Sequence, residues 1–413
     1  MNILIFAANW NNRGDESAIR AMIDELKLLY PAAQFKIHFT MRVSSVPYDE
    51  MEIIPSFGNV QRRYVLQRLQ YKLSIKTCGR INIMPRTRKL SAKENRVALK
   101  RFVEAVQWCD LAIYAPGGPC IGDLYRAYGL LDCIDLMRYY KKPYVFYAPS
   151  MGPFKQYKRR IAKILHGAAV LCLREGVSAG FVKDLVPNVD IHITLDSAFQ
   201  HPVDEKKYDH QLKEYTQLVD FLNCHDKVVG ITITDLQWHS KYAYIEVKNK
   251  IKVAFTGIIE YLTDNGYGVV FIPQLFNCEG DKDYMESFAI NNCFVVDDEH
   301  DCYFQQYLIS KLYAVIGMRY HSNIFSAKMG TPFVSVAYEQ KMSGFAQKVG
   351  LSDFCFSIND LSKEKLIEYF EKLVANYNSY NNKLFSIREW CRTESYKTTQ
   401  YVQKVIEDKG LNH

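Results

Sequence analysis

No stretch of this chain approaches the roughly 20 consecutive apolar residues that a membrane-crossing helix needs. The opening residues, Met1–Phe6 (MNILIF), carry no basic group ahead of an apolar run that is itself too short for a signal peptide. They read as a first strand, and a cytoplasmic protein is expected. The 11 cysteines are dispersed, odd in number and without a C-x-x-C pair, so neither a disulfide framework nor a zinc site is indicated. They read as small buried side chains in a reducing compartment. A G-x-G-x-x-G fingerprint is also missing, which removes the standard dinucleotide-binding reading. There is no internal repeat and no low-complexity tract.

The 413 residues suffice for two domains, and 48% apolar with 23% charged residues is a soluble globular balance. Short apolar runs alternate with helical spacing in two blocks. The first holds Ile3–Phe6, Leu111–Ala115, Tyr144–Tyr147, Leu171–Leu173 and Ile191–Leu195; the second holds Val228–Thr234, Gly268–Gln274, Cys293–Val296, Leu312–Ile316 and Pro332–Val336. Strand–helix alternation of this kind predicts an α/β protein with two Rossmann-like domains facing each other across a cleft. The expected boundaries are 1–200 for the first domain, 201–226 for a linker, 227–380 for the second domain and 381–413 for a helical tail that crosses back to the first.

Charge is uneven. Residues 61–101 hold 13 Lys and Arg against the single acid Glu94, a local excess of +12 in a chain of net +7, so the remainder carries −5. Leu66, Leu69, Leu73 and Ile75 are interleaved with these charges, partly at helical spacing. The plainer reading is a solvated helix face over an inner apolar stripe. The size of the excess points instead to an anionic partner: nucleic acid, lipid head groups or a pyrophosphate-bearing substrate. Aromatic platforms for stacking bases are few here (Tyr64 and Tyr71), which disfavours nucleic acid, so an anionic membrane surface is expected to meet this segment.

The chemistry converges on Gly317–Asn323 (GMRYHSN), a turn between an apolar strand and a helix closed by Gly330 and Pro332. Such a turn lies at the carboxyl edge of a sheet, where open α/β folds bind ligands. Arg319 offers a two-point clamp for carboxylate or phosphate, the helix end adds N–H donors, and His321 can exchange a proton near neutral pH. A plain capping turn with an exposed Arg and His is the competing reading. Three other strand ends repeat the pattern. Asn9–Ser17 is a polar loop with Asp15 near a helix start, where it either caps the helix or acts on a ligand. Pro116–Leu124 carries Gly117 and Gly118, which allow close approach to the backbone. Arg174 follows Leu171–Leu173, to pair with Glu175 or Asp184 or to bind an anion.

Taken together these stretches resemble the polysaccharide pyruvyl transferase family. The resemblance rests on Gly14–Glu16, Gly117-Gly118, Ser150–Pro153, Arg174-Glu175, Asp196–Phe199, Pro273-Gln274, Gly317–His321 and Tyr338–Lys341, in that order, and runs to Gly350-Leu351. Members usually show a third glycine where this chain has Pro119. The resemblance implies a GT-B-like fold. It also implies transfer of pyruvate from phosphoenolpyruvate to two hydroxyls of a saccharide, needing no cofactor and no metal, with a cyclic ketal and phosphate as products. Arg174 and Arg319 would hold the carboxylate and phosphate of phosphoenolpyruvate, helped by the N–H of Tyr320, with Gly117, Gly118 and Gln274 also at the substrate. His321 and Asp15 would transfer protons, His321 as acid and Asp15 as base, with the reverse assignment open. The acceptor is expected on a lipid diphosphate carrier, which places the enzyme on the cytoplasmic face of a membrane through residues 61–101.

Two other readings compete. A GT-B glycosyltransferase using a nucleotide sugar would have the same architecture, but no base-and-ribose pocket is evident in the second domain. A non-catalytic membrane-associated binding protein would use the basic segment, yet would have no need of Arg174, Arg319 and His321 together.

Overall fold

The structure, a computed structural model, describes residues 1–58, 65–117, 121–123, 129–276, 280–297 and 299–411. Gly118, Pro119, Arg62, Arg63 and Tyr64 lie outside the described residues. Two compact units are present. The first comprises Met1–Trp10, Met22–Leu195 and Lys397–His413; the second comprises Asn11–Ala21 and Asp196–Tyr396.

In the first unit, strands β1 (Asn2–Ala8), β2 (Gln34–Phe39), β3 (Glu52–Ile54), β4 (Leu111–Tyr114), β5 (Tyr144–Tyr147), β6 (Val170–Leu173) and β7 (His192–Ile193) form one sheet in the order β3-β2-β1-β4-β5-β6-β7. Every pairing is parallel. Parallel strands covered on both faces need apolar side chains on both faces, and β4 (LAIY) and β5 (YVFY) are buried at every position. Their rings build the core: Tyr114 meets Phe6 edge-on at 5.4 Å between centroids and Phe146 at 5.2 Å. Strand order reverses between β1 and β4, and the turn after β4 holds Gly117 at φ +85°, a left-handed conformation that favours glycine.

In the second unit, β8 (Val228–Thr232), β9 (Gly268–Phe271), β10 (Cys293–Val295), β11 (Ala314–Gly317), β12 (Phe333–Ala337) and β13 (Cys355–Ser357) form a second parallel sheet, ordered β10-β9-β8-β11-β12-β13. Its order reverses between β8 and β11, where Gly317 is in register with Thr232. Open α/β sheets bind ligands outside the carboxyl ends of the strands at such a switch point. The residues 317–323 leave β11 at that place. The α/β reading, with one parallel sheet per unit, therefore holds.

Two long helices are divided between the units. The helix Arg13–Leu29 begins in the second and continues in the first; the helix Tyr377–Asp408 ends in the first. Within the first unit that end is fixed by a Thr398–Thr194 hydroxyl pair at 2.7 Å, a Thr399–Tyr147 pair at 2.5 Å, and Tyr401 stacked on His192. Residues 201–226 contain two helices, Glu205–Glu214 and Thr216–Asn223. No helix among the described residues is long and apolar enough to cross a membrane.

Candidate functional site

The helix Tyr320–Met329 starts directly after β11, with Arg319 as its extended N-cap residue. Two hydroxyls fix this corner. Thr232 Oγ1 accepts from the N–H of Met318 (3.2 Å) and of Arg319 (3.3 Å), and Ser322 Oγ donates to the Arg319 carbonyl at 2.6 Å. Gly317 is required by close approach: a Cβ there would lie 2.1 Å from Asn323 Oδ1. Tyr320 and His321 occupy the first turn, where helix N–H groups point outward to an anion.

Both functional side chains of the turn are buried, at 5% exposure each, which corrects the reading of an exposed capping pair. Arg319 is held by Asp281. Its Nε donates to Oδ2 at 3.1 Å, and its Nη2 donates to Oδ1. Oδ2 also accepts from the backbone N–H of Gln274 (3.1 Å) and Leu275 (3.0 Å). Burial works against the Arg319 charge, but the Asp281 carboxylate beside it favours the charge, and its pKa is raised. The indole of Trp238 lies 5.8 Å from the guanidinium. Burial, and then the charge of Glu339, push the Tyr338 hydroxyl up to about 12, so it is a neutral donor at physiological pH.

His321 faces three groups. Its Nε2 lies 3.6 Å from Asp196 Oδ2, just beyond hydrogen-bond reach, and has no hydrogen-bond partner among the described residues. The Tyr320 ring meets it edge-on at 4.9 Å. On its other edge is Gly14, so close that a Cβ there would sit 2.0 Å from Nδ1. Asp196 is itself fixed: Oδ1 caps the short turn Ser197–Phe199 by accepting from the Ala198 N–H at 3.0 Å, and its carbonyl accepts from Ser395 Oγ. Lys328, from the far end of the His321 helix, donates to the Ala198 and His201 carbonyls at 2.8 and 2.6 Å. The segment carrying the carboxylate is thereby tied to the helix carrying the imidazole.

The loop 11–13 belongs to this unit and runs beside the end of β9. The N–H of Arg13 donates to the Gln274 carbonyl at 2.8 Å, and that of Phe276 to the Asn11 carbonyl at 2.9 Å. Asp15 lies buried in the first turn of the helix it was expected to cap. The capping oxygen is that of Asn12, whose Oδ1 accepts from the Gly14 N–H at 2.8 Å. Gln274 is 1% exposed, and its Nε2 has no hydrogen-bond partner among the described residues. The second unit thus brings together Gln274, Arg319, Tyr320 and His321, with Asp15 next in the chain to the Gly14 that meets His321. It adds Asp196 and Asp281, to which the sequence alone assigned no role.

Arg174 is in the first unit, at the end of β6 and 3% exposed. Its Nε donates to Ser150 Oγ at 2.8 Å. Glu175, one of the groups the sequence offered it beside Asp184 and an anion, caps the next helix, accepting from the Ser178 N–H at 2.9 Å. Among the described residues no group of three His, Cys, Asp or Glu side chains is arranged to hold a metal ion. What the second-unit arrangement can do is bind an anion at a buried guanidinium and helix start, and move a proton at a buried imidazole beside a carboxylate.

A family model described as polysaccharide pyruvyl transferase matches residues 12–340. The amylovoran biosynthesis protein AmsJ of Erwinia amylovora is 24% identical over 420 residues, covering 96% of this chain and 97% of its own. Among solved structures, S. aureus MnaA with UDP superposes with a TM-score of 0.62 at 9% identity, covering 99% of this chain and 97% of that one. The UDP-GlcNAc 2-epimerase of Neisseria meningitidis gives 0.58 at 11% identity, covering 98% and 100%. At such identities the likeness is one of fold, the GT-B type, and carries no activity.

Proposed function

This chain belongs to the polysaccharide pyruvyl transferase family, an enzyme family, and from that premise we propose that it transfers pyruvate from phosphoenolpyruvate to two hydroxyls of one saccharide. The observation that carries the reading is His321: buried beside Asp196, pressed against Gly14, and two residues from a clamped Arg319 at the switch point of the sheet.

Phosphoenolpyruvate is a small trianion. Asp281 occupies the edge of Arg319 formed by Nε and Nη2, so the donors on the Nη1 side are those proposed to meet the substrate, with the Tyr320 N–H beside them. Arg174 is proposed to supply a second guanidinium, and Gly117 and Gln274 to contact the substrate. Gly118, assigned with them, lies outside the described residues. His321 acts as acid and delivers a proton to the methylene carbon. The C2 carbon becomes electrophilic, and one sugar hydroxyl adds to it as Asp15 takes that hydroxyl's proton. The C2–O bond to phosphate then breaks, the second hydroxyl adds, and its proton leaves. Of the two hydroxyl protons, one replaces the proton spent on the new methyl group and the other ends on phosphate. A placed acid or base contributes about 10²–10⁴-fold to such a step.

The acceptor is proposed to be a saccharide on a lipid diphosphate carrier, which keeps the enzyme at the cytoplasmic face of a membrane. The test supplies phosphoenolpyruvate with a panel of lipid-linked saccharides and follows phosphate and the ketal methyl signal. Equal amounts of phosphate and ketal are expected. Consumption of a nucleotide sugar with phosphoenolpyruvate left intact would overturn the proposal in favour of glycosyl transfer.

A further inference from the structure

The basic segment holds a surface that the reaction does not use. The helix Val65–Lys76 is fastened to the first unit by one face: the Tyr71 hydroxyl donates to Asp132 at 2.6 Å, Ser74 Oγ accepts from the Ile83 N–H at 3.0 Å, and Tyr71 and Ile75 pack on the core. The opposite face is apolar and open. Leu66 is 68% exposed, Leu69 58% and Leu73 41%, at the i, i+3, i+7 spacing of a single stripe, with Val65 beside them at 69%. The inner apolar stripe of the plainer reading is therefore, at these leucines, an outer one. Alongside it Arg68, Lys72 and Lys76 are all exposed and repeat every four residues as a second stripe. The basic surroundings continue beyond the helix. Arg80 is exposed, and Asn82 bonds the Arg96 carbonyl at 2.8 Å, which holds this turn against a helix that exposes Lys93, Arg96 and Lys100. The one acid of the segment, Glu94, is engaged in a capping box with Ser91.

We propose that the Val65–Lys76 helix is a docking surface for an anionic lipid bilayer, with Leu66, Leu69 and Leu73 entering the head-group region and Arg68, Lys72 and Lys76 meeting lipid phosphates. Exposed leucines flanked by bases on one helix face are what an interfacial helix presents, and an anionic leaflet attracts each nearby Lys or Arg within a Debye length. Charge decides against the other occupants. A second copy of this chain would bring two strongly positive faces together. A nucleic acid would satisfy the bases but leave the leucines in water, and Tyr71, the ring best placed for stacking, is turned to the protein. The proposal rests on the membrane-held acceptor for its purpose, though not for its physical basis.

The experiment is co-sedimentation of the full chain with phosphatidylcholine vesicles, with and without phosphatidylglycerol, in the absence of substrates. Binding is expected only with phosphatidylglycerol and should fall with added salt. Two triple variants separate the stripes. Arg68→Gln, Lys72→Gln and Lys76→Gln together are expected to lower the partition coefficient at least ~10-fold, and Leu66→Ser, Leu69→Ser and Leu73→Ser to lower it while leaving the thermal midpoint unchanged. Equal binding to neutral vesicles, or undiminished binding by the leucine variant, would overturn the proposal. So would a dimer in ultracentrifugation that the leucine variant abolishes, or retention on single-stranded RNA at salt that strips the vesicles. Because no substrate is present, a failure here is distinct from failure of the pyruvyl-transfer reading.

Discussion

Gly14 shows how a single missing side chain makes room for a group proposed to be catalytic. It lies in the first turn of a helix, with nothing in its own backbone that demands glycine, and alanine there would ordinarily stabilise the helix by about 1 kcal/mol. A Cβ would nevertheless overlap the imidazole of His321. Gly14→Ala is therefore expected to lower turnover at least ~10²-fold, the scale of a lost general acid, through a displaced His321. Steady-state kinetics on a variant shown to be folded would check this, and an alanine variant as active as the parent would contradict it. The fixing of Arg319 is equally local. Lysine keeps the charge but has no planar fork, so Arg319→Lys is expected to weaken phosphoenolpyruvate binding at least ~10-fold by calorimetry. The sequence made Gly14, Arg319 and His321 legible because they stand at strand and helix ends. Asn12 was passed over for Asp15 because the start of the helix decides which of them caps, and a polar run such as Asn9–Ser17 does not fix that residue. Asp281, 38 residues from Arg319, is brought to it by tertiary folding alone.

At the level of elements, Asp281 links the end of β9, the helix Asp281–Glu286 and the Arg319 turn, through the N–H groups of Gln274 and Leu275 and the guanidinium. Asp281→Asn leaves a buried guanidinium without its counter-charge. By the usual consequence of breaking such a pair, it should destabilise the second unit by about 3–5 kcal/mol, read by denaturant unfolding. A second element-level prediction concerns β2. His38 is buried between Phe57 and Phe102, with no hydrogen-bond partner among the described residues at either ring nitrogen. Burial lowers its pKa to about 3, against 6.5 in the unfolded chain. The unfolded state thus binds the extra proton first. The stability associated with neutral His38 is complete above pH 6.5 and is lost as pH falls towards 3, at up to about 1.4 kcal/mol per pH unit. His38→Phe should flatten that acid limb in a series of urea unfolding curves. The same strand was hard to read from sequence: β2 (QFKIHF) mixes Lys and His into its apolar pattern, and β3 and β13 are only three residues each. The long apolar runs of β4, β5, β8 and β9 were legible because strands covered on both faces carry little else.

For the whole molecule, alternating strands and helices foretold two parallel sheets, and both adopt the same order with one switch point each. Periodicity did not reveal how the chain is apportioned. Asn11–Ala21, near the start of the sequence, counts with the second unit. That apportioning is what sets Gly14 against His321, so the candidate site depends on a division no local pattern announces. In the proposed reaction His321 protonates phosphoenolpyruvate during transfer to a saccharide. The most direct measurement is acceptor-dependent phosphate release from phosphoenolpyruvate by the parent and by His321→Ala, with phosphoenolpyruvate binding followed separately by calorimetry. The variant is expected to bind phosphoenolpyruvate at close to the parent's affinity and to release phosphate at least ~10²-fold more slowly. Phosphate release by His321→Ala at the parent's rate would contradict it.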